Sequence, residues 1–598
     1  MRVAMSAMTR LLLMLLLLMG SVRPSPAARP DLLAPGGWTL SAPRSSDAAL
    51  TRQSAMGAPG DGSVLRVTVA APSDPLWLIQ IARGIPAALP NGHRVRLHFW
   101  ARSATRSPLR VTVEQNAAPY DSVCQDKVML APAWREYTVQ GVSSGWGPST
   151  LSAHFQCGQQ AGVIDIAGAA VTDLGPDPAI AAAQAALAPS RVQARIERYR
   201  KGTLTIRVLD ARGRPVPRAR VQVVQTRHAF LFGCNFFALS PDDPSPAQRA
   251  YQAQFTALFN YATLPFYWGA FEPQPGKADY ARLQAMAAWC VAHQITPKGH
   301  PLVWHQVWPA WAPTSPDKAI PLLHARVLDL VPRYKDTIHY WDVVNEASGA
   351  ANVRPANGET AWVGRDGPAS VVETAVGWAR TAGKGTAETF LYNDYETGLP
   401  NLALLAKLKA DGKLPDAIGI QSHMHRAELP LVQVWQICDT FSKFGRPIHF
   451  TETTVLSGPN RTPDYNGQAA ADWPTTAAGE AEQARYVAQF YTLLFSHPSV
   501  RAITWWDFSD RGAWLGAPAG LLRADMSPKP AYTRLLALIR KQWWTRAAGT
   551  TNHAGAYAHR VFYGDYQIAV RDSQGHTKTQ AVSFPEAAPP LAVTVRLP

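Results

Sequence analysis

Glu346 and Glu452 each close an apolar run: WDVVNE ends on the first and IHFTE on the second. Two carboxyls brought face to face can cleave a glycosidic bond. One protonates the leaving oxygen while the other attacks the sugar, at a separation of about 5 to 5.5 Å in enzymes that retain the anomeric configuration. Glu346 also has an ordinary reading, as a carboxylate favoured at a helix start by the helix dipole. The strand-like run before it and the amide of Asn345 beside it favour the chemical reading.

Residues so far apart in sequence need a scaffold that returns the chain to one place. From Phe230 onward, short apolar runs alternate with segments of helical length, the pattern of parallel strands with helical crossovers. The runs are FLFGCNF, YATLPF, TPKGHPLVW, IHYWDVVNE, TFLYND, AIGIQSH, IHFTE and AITWWDF. Eight such units predict an α/β fold, a (β/α)8 barrel over 230–544, whose active site lies at the carboxyl ends of the strands. Polar and aromatic residues gather at those ends: His300 and Trp304, Asn345 and Glu346, Asn393 and Asp394, Gln421 and His423, Glu452, and Trp506.

The flanks read differently. Residues 29–175 carry short alternating runs such as RVRLHFWARS, LRVTVEQN and REYTVQGV between Pro, Gly and Ser, the signature of an all-β sandwich. Residues 176–229 read as an Ala-rich linker or short helix followed by a short β segment, and 545–598 as strands again. Whether these last strands pair with those just before the barrel is left open by the sequence. Residues 1–28 combine Arg2 and Arg10 with an apolar run from Leu11 to Met19 and a small-residue end. That run is too short to span a bilayer and predicts a secretory signal, hence a secreted or periplasmic protein.

Composition narrows the functional class. The formal charge of +15 comes from scattered Lys and Arg with no dense basic run, which argues for a solvated basic surface and against nucleic acid. Five cysteines are few for a disulfide scaffold. Cys124 and Cys157 share the strand-rich part, where a bridge between them is one possibility, while Cys234, Cys290 and Cys438 read as buried thiols. No CxxC pair or other metal motif is present, so neither metal nor cofactor is expected.

The motifs in order carry a resemblance. GHPLVWH (299–305), WDVVNEA (341–347), FLYNDYE (390–396), GIQSHMH (419–425), FTE (450–452) and PKPAY (528–532) resemble the successive motifs of glycoside hydrolase family 10, the retaining endo-β-1,4-xylanases. RVQVVQTRHAFLFG resembles the lead-in of multidomain members, in which a carbohydrate-binding module precedes the barrel. The resemblance implies Glu346 as acid/base and Glu452 as nucleophile. It implies that Asn345 bonds the sugar 2-hydroxyl, that His300, Trp304 and Gln421 line the subsite of the cleaved sugar, and that His423 bonds the nucleophile. Tyr395 would also contact substrate, and Trp506 and Trp514 would form an aromatic roof, since sugar faces stack on indole. Asp394 is expected to support the site from behind.

Departures accompany the matches. Where the family shows Glu-Asn-x-Met-Lys-Trp, this chain has Thr263, Leu264, Pro265, Phe266, Tyr267 and Trp268, so an Asn and a Lys that contact the next sugar outward are replaced. Val307 replaces a Gln of the third-strand loop, and Thr454 replaces the Asp that orients the histidine. The expectation is therefore a monomeric, secreted retaining glycosidase cleaving internal β-1,4 linkages of xylan, a plant cell-wall polysaccharide. Two alternatives stand beside it: a related β-glycanase or oligosaccharide-active glycosidase with an altered glycone side, and a non-catalytic carbohydrate-binding protein. Trp77, Trp100 and Tyr120 are the stacking candidates of the amino-terminal sandwich.

Overall fold

The computed structural model describes residues 29–598 apart from 118–119, 462, 464–468, 471 and 587. The secretory signal expected at 1–28 lies outside the described residues. The chain divides into two units, Met1–Ala182 and Ala183–Pro598. No helix among the described residues is long and apolar enough to cross a membrane.

Period-two alternation builds the first unit. In His93–Ser103 the side chains of Val95, Leu97, Phe99 and Ala101 are buried while those between them are not. Such a strand covers a core with one face. Two five-stranded antiparallel sheets result. One runs in the order Thr39–Ser41, Gln80–Ile85, Leu151–Gln156, Pro108–Gln115, Ser122–Met129, and the other in the order Ala48–Ser54, Ser63–Val69, Gly162–Pro176, His93–Ser103, Arg135–Val142. Their inner faces meet in one core, where Phe99 packs edge-on to Phe155 at 4.9 Å.

Cys124 and Cys157 do not bridge; all five cysteines are free and buried. The sheet order explains it. Pro108–Gln115 lies between the strand holding Cys124 and the strand that Cys157 follows, and Ala153 rather than Cys157 is in register with Cys124 across Val113, so the two are more than about 10 Å apart. A disulfide needs Cα atoms within about 7 Å.

The second unit is organised by eight parallel strands that close into a barrel: β1 (Leu231–Asn235), β2 (Tyr261–Pro265), β3 (Thr296–His300), β4 (Tyr340–Asn345), β5 (Thr389–Asp394), β6 (Ala417–Met424), β7 (Ile448–Val455) and β8 (Val500–Trp505). They are the eight runs expected from the sequence. Buried on both faces, they read as continuous rather than alternating apolar runs, with every residue of β1, β2 and β7 buried. The crossover helices start where the sequence supplies caps: Ser245, Asp279, Asn357 and Thr476 each accept a backbone N–H of the first turn.

Two small sheets join the strands on either side of the barrel. Lys201–Leu209 pairs antiparallel with Ala556–Phe562 and parallel with Leu591–Arg596. Arg220–His228 lies between Arg546–Thr550 and Gly564–Arg571, and Thr577–Phe584 completes that sheet. These sheets share a separate apolar core that includes Ile206, Val223, Ile568 and Val595. Helices Pro178–Ala186 and Pro189–Tyr199 fill the stretch read as linker or short helix. Arg200, almost wholly buried, ties this layer to the barrel. Its guanidinium donates to the carbonyls of Phe495, His497 and Val500 and pairs with Glu586.

Candidate active site

The carboxyl end of the barrel gathers its polar residues around two glutamates. Glu346 follows β4 directly, in a left-handed backbone conformation at φ 60° and ψ 35° that few residues other than glycine adopt readily. Its N–H donates to the Asn393 carbonyl at 2.8 Å, and the Asn345 N–H donates to the Val303 carbonyl at 3.0 Å. Ser348, two residues on, is held through its N–H by Asp394 Oδ2 at 3.2 Å. Asp394 thus supports the turn from behind.

The Glu346 carboxyl is buried, at 8% exposure. Gln421 Nε2 donates to Oε1 at 2.8 Å and Trp304 Nε1 donates to Oε2 at 3.1 Å. Burial pushes its pKa up to about 8; the Gln421 hydrogen bond works against that rise and the negative charge of Glu452 adds to it. Glu346 therefore holds a proton at neutral pH.

Glu452, on β7, is equally buried but differently surrounded. Asn393 Nδ2 donates to Oε1 at 2.7 Å, His423 Nε2 approaches Oε2 at 3.1 Å, and His300 Nε2 stands 3.9 Å from Oε1. Burial alone raises its pKa. The His423 hydrogen bond, with the positive potential of His300, His423 and Lys298, outweighs burial and holds the carboxyl below its ordinary range. Two carboxyls in one cleft thus hold opposite protonation states near neutrality, the division of labour that acid and nucleophile require.

His300 is oriented from inside the barrel. Its Nδ1 lies 2.7 Å from Asp342 Oδ2, which also accepts from Lys298 Nζ at 2.5 Å; all three side chains are essentially fully buried. Close packing of β3 on β4 makes this possible, because Gly299 lies against the Trp341 ring and a Cβ there would come within 2.2 Å of it. Asn393 links the two halves of the site, its Nδ2 also donating to Asn345 Oδ1 at 2.7 Å.

Aromatic rings wall the cleft. Tyr267 stands 5.3 Å from Trp304 and 5.5 Å from His300, centre to centre, and Phe237 packs edge-on to both Tyr267 and Trp506. Trp514, 37% exposed, lies 4.7 Å from His423. Trp506 is only 5% exposed, with its ring 5.8 Å from His300 and 6.2 Å from His423. Tyr395 is 55% exposed.

Of the altered positions, Leu264 departs from expectation. It is completely buried in the barrel core and presents no wall to a ligand. The alternation of β2 points it at the crossover helices. Val307 is exposed, and Tyr267 stands beside Trp304 and His300 in the cleft.

Several contributing residues were not singled out from the sequence. Lys298 and Asp342 were hidden inside strands that read as apolar. Gln306 Nε2 reaches Glu346 Oε2 at 3.5 Å, one position before the Val307 noted as a loss. Asn235 ends β1 as Asn345 ends β4, and that position was its signal. Its Nδ2 donates to Asp507, whose other oxygen holds the Trp514 N–H, both at 2.5 Å.

A closed barrel with opposed, oppositely tuned carboxyls at the strand ends has the form of a glycosidase. Residues 228–538 match the family model for glycosyl hydrolase family 10, and the chain belongs to that family. Similar proteins include the anti-sigma-I factor RsgI6 of Acetivibrio thermocellus, 26% identical over 68% of this chain and 49% of that protein. They also include endo-1,4-beta-xylanase A of Caldicellulosiruptor sp. strain Rt8B.4, 29% identical over 45% of this chain and 40% of that protein. The chain spans about half the length of the first and less of the second. Among solved structures, xylanase 10B from Thermotoga petrophila in complex with xylobiose aligns at 22% identity and a TM-score of 0.44, covering 52% of this chain and 95% of that one.

Proposed function

We propose that this chain is a retaining glycoside hydrolase that cleaves internal β-1,4 linkages of xylan, with Glu346 as acid/base and Glu452 as nucleophile. The observation that carries the reading is the opposed tuning of the two carboxyls: burial keeps Glu346 protonated, while His423, His300 and Lys298 keep Glu452 charged. In the first half-reaction Glu346 gives its proton to the leaving oxygen as Glu452 Oε attacks the anomeric carbon. In the second, the Glu346 carboxylate takes a proton from the water that releases the sugar. Asn345 would bond the 2-hydroxyl, and His300, Trp304, Gln421 and Tyr395 would contact the sugars. The relative named as an endo-1,4-beta-xylanase supports xylan as the first polymer to try.

The experiment compares leaving groups. Glu346→Ala is expected to cripple hydrolysis of xylan while sparing glycosylation from an activated aryl glycoside, whose leaving group needs little protonation. Glu452→Ala is expected to abolish both. Identical behaviour of the two variants on the activated substrate overturns the roles, and an unhydrolysed polymer panel favours the non-catalytic binding alternative. Proton NMR of the first product is expected to give the retained anomer.

A second reading, another β-glycan or a decorated chain, is favoured by Tyr267, whose ring occupies the cleft beside Trp304 and His300 where the family resemblance puts a lysine. For the amino-terminal sandwich we propose polysaccharide binding, supported by the exposure of aromatic rings on which a sugar face can stack. Trp77 and Tyr120 are exposed, whereas Trp100 is half-buried.

A further inference from the structure

Behind the carboxyl of Glu346 lies a line of polar groups that the two half-reactions leave unused. His305, on the loop after β3, is buried, and its Nε2 stands 3.9 Å from Glu346 Oε2. Its Nδ1 faces Glu359 Oε2 at 3.6 Å. Glu359 is completely buried in the first turn of helix Gly358–Asp366. Among the described residues, neither of its carboxyl oxygens nor His305 Nδ1 has a hydrogen-bond partner. Buried polar atoms are paired in the great majority of proteins, and 3.6 Å lies just beyond hydrogen-bond range. Two unpaired groups facing each other at that distance are one another's partners after a slight turn of the ring, and such contacts tighten when substrate is bound.

The spacing is fixed by Asn357. Its Oδ1 accepts the N–H groups of Glu359 and Thr360 at 3.2 and 3.1 Å, while its Nδ2 donates to the His305 carbonyl at 2.6 Å. One side chain therefore caps the helix that carries Glu359 and clamps that helix to the backbone of His305.

We propose that Glu359 is a positioning residue: its carboxyl O–H donates to His305 Nδ1 and so fixes the imidazole tautomer whose Nε2–H points at Glu346 Oε2. This rests on the reading of Glu346 as the acid/base. No covalent bond forms or breaks along the line. When Glu346 has given its proton away, the carboxylate left behind receives the His305 Nε2–H beside the Trp304 indole N–H already 3.1 Å away. Burial favours the neutral forms this needs, pushing Glu359 up to about 8 and His305 down to about 4. The charges that bear on Glu346 are Glu452 from β7 and Asp394 from β5, with Tyr395 beside it; the charge that bears on Glu359 is that of Glu346. Arg365, on the helix of Glu359, is engaged at its surface with Asp317 and Asp366.

Two side chains separate positioning from packing. Glu359→Gln keeps an N–H donor for Nδ1, and Glu359→Leu removes it. In the full chain, the alkaline limb of the kcat/KM profile is expected to move up by about one pH unit in the Leu variant, because the Glu346 carboxylate has lost a donor, and to stay in place in the Gln variant. An unmoved limb in the Leu variant, or equal shifts in both, overturns the proposal. Should the Leu variant fail to fold, Glu359→Met carries the same comparison. Ring 15N shifts of the histidine-labelled wild-type protein, with His305→Gln for assignment, read the tautomer directly. A proton on Nε2 is expected, and a proton on Nδ1 overturns the proposal. Failure of the Glu346 role itself is distinguished by Glu346→Ala, which would then leave xylan hydrolysis intact.

Discussion

His423 meets Glu452 at 3.1 Å, Nε2 to Oε2. The other ring nitrogen lies 2.8 Å from Thr454 Oγ1, and that hydroxyl gives its own proton to the Trp506 carbonyl, also at 2.8 Å. With its hydrogen committed, the threonine oxygen is left to accept from Nδ1–H. A neutral hydroxyl thus orients the histidine where the family resemblance puts a carboxylate. Thr454→Val keeps the shape and removes that acceptor. It is expected to lower kcat/KM on an aryl glycoside roughly 2- to 10-fold, the worth of one hydrogen bond, with KM little changed. Unchanged kcat/KM means that Thr454 does not hold His423 for the reaction.

The two carboxyls predict a bell-shaped pH profile. Glu346 acts protonated, so activity falls as pH rises through about 8, where it loses its proton. Glu452 acts charged and its pKa is held below the usual range, so activity persists through ordinary carboxylate values near ~4.3 and is lost only at lower pH. Initial rates across the range check both limbs, which report the pair rather than either residue alone. An alkaline limb near 6 contradicts the burial of Glu346.

Tyr267 and Leu264, two positions altered together in sequence, are expected to behave differently. Leu264→Asn places an amide in a fully buried apolar site, lowering stability by about 3 kcal/mol or more and depressing the melting temperature. Tyr267→Lys acts in the cleft and is expected to raise the rate on xylotetraose relative to the best substrate of a β-glycan panel. A constant ratio means that Tyr267 does not set specificity.

A chain ended at Trp544 loses every neighbour strand of Lys201–Leu209 and Arg220–His228. Glu586, the partner of buried Arg200, goes with them. Removing one partner of a buried pair costs about 3 to 5 kcal/mol by itself. The shortened chain is expected to unfold well below the full chain in a thermal melt and to exchange its amides over residues 201–228. An unchanged melting transition would make the carboxyl-terminal strands dispensable.

The sequence by itself determined the sandwich and the barrel, because periodicity is local: two-residue alternation and strand-length apolar runs are visible in any short window. It also brought out Asn345, Glu346, Gln421, His423 and Glu452, since a polar residue closing an apolar strand stands out from its neighbours. Tertiary structure decided what depends on contacts across the chain. Lys298 and Asp342 make sense only when β3 lies against β4, and Glu359 only when its helix is clamped to His305. Leu264 was assigned to the cleft by its place in a motif and to the core by the strand's orientation. Cys124 and Cys157 were kept apart by an intervening strand, and the sheets flanking the barrel exist only because residues hundreds of positions apart pair, a register that no local pattern encodes.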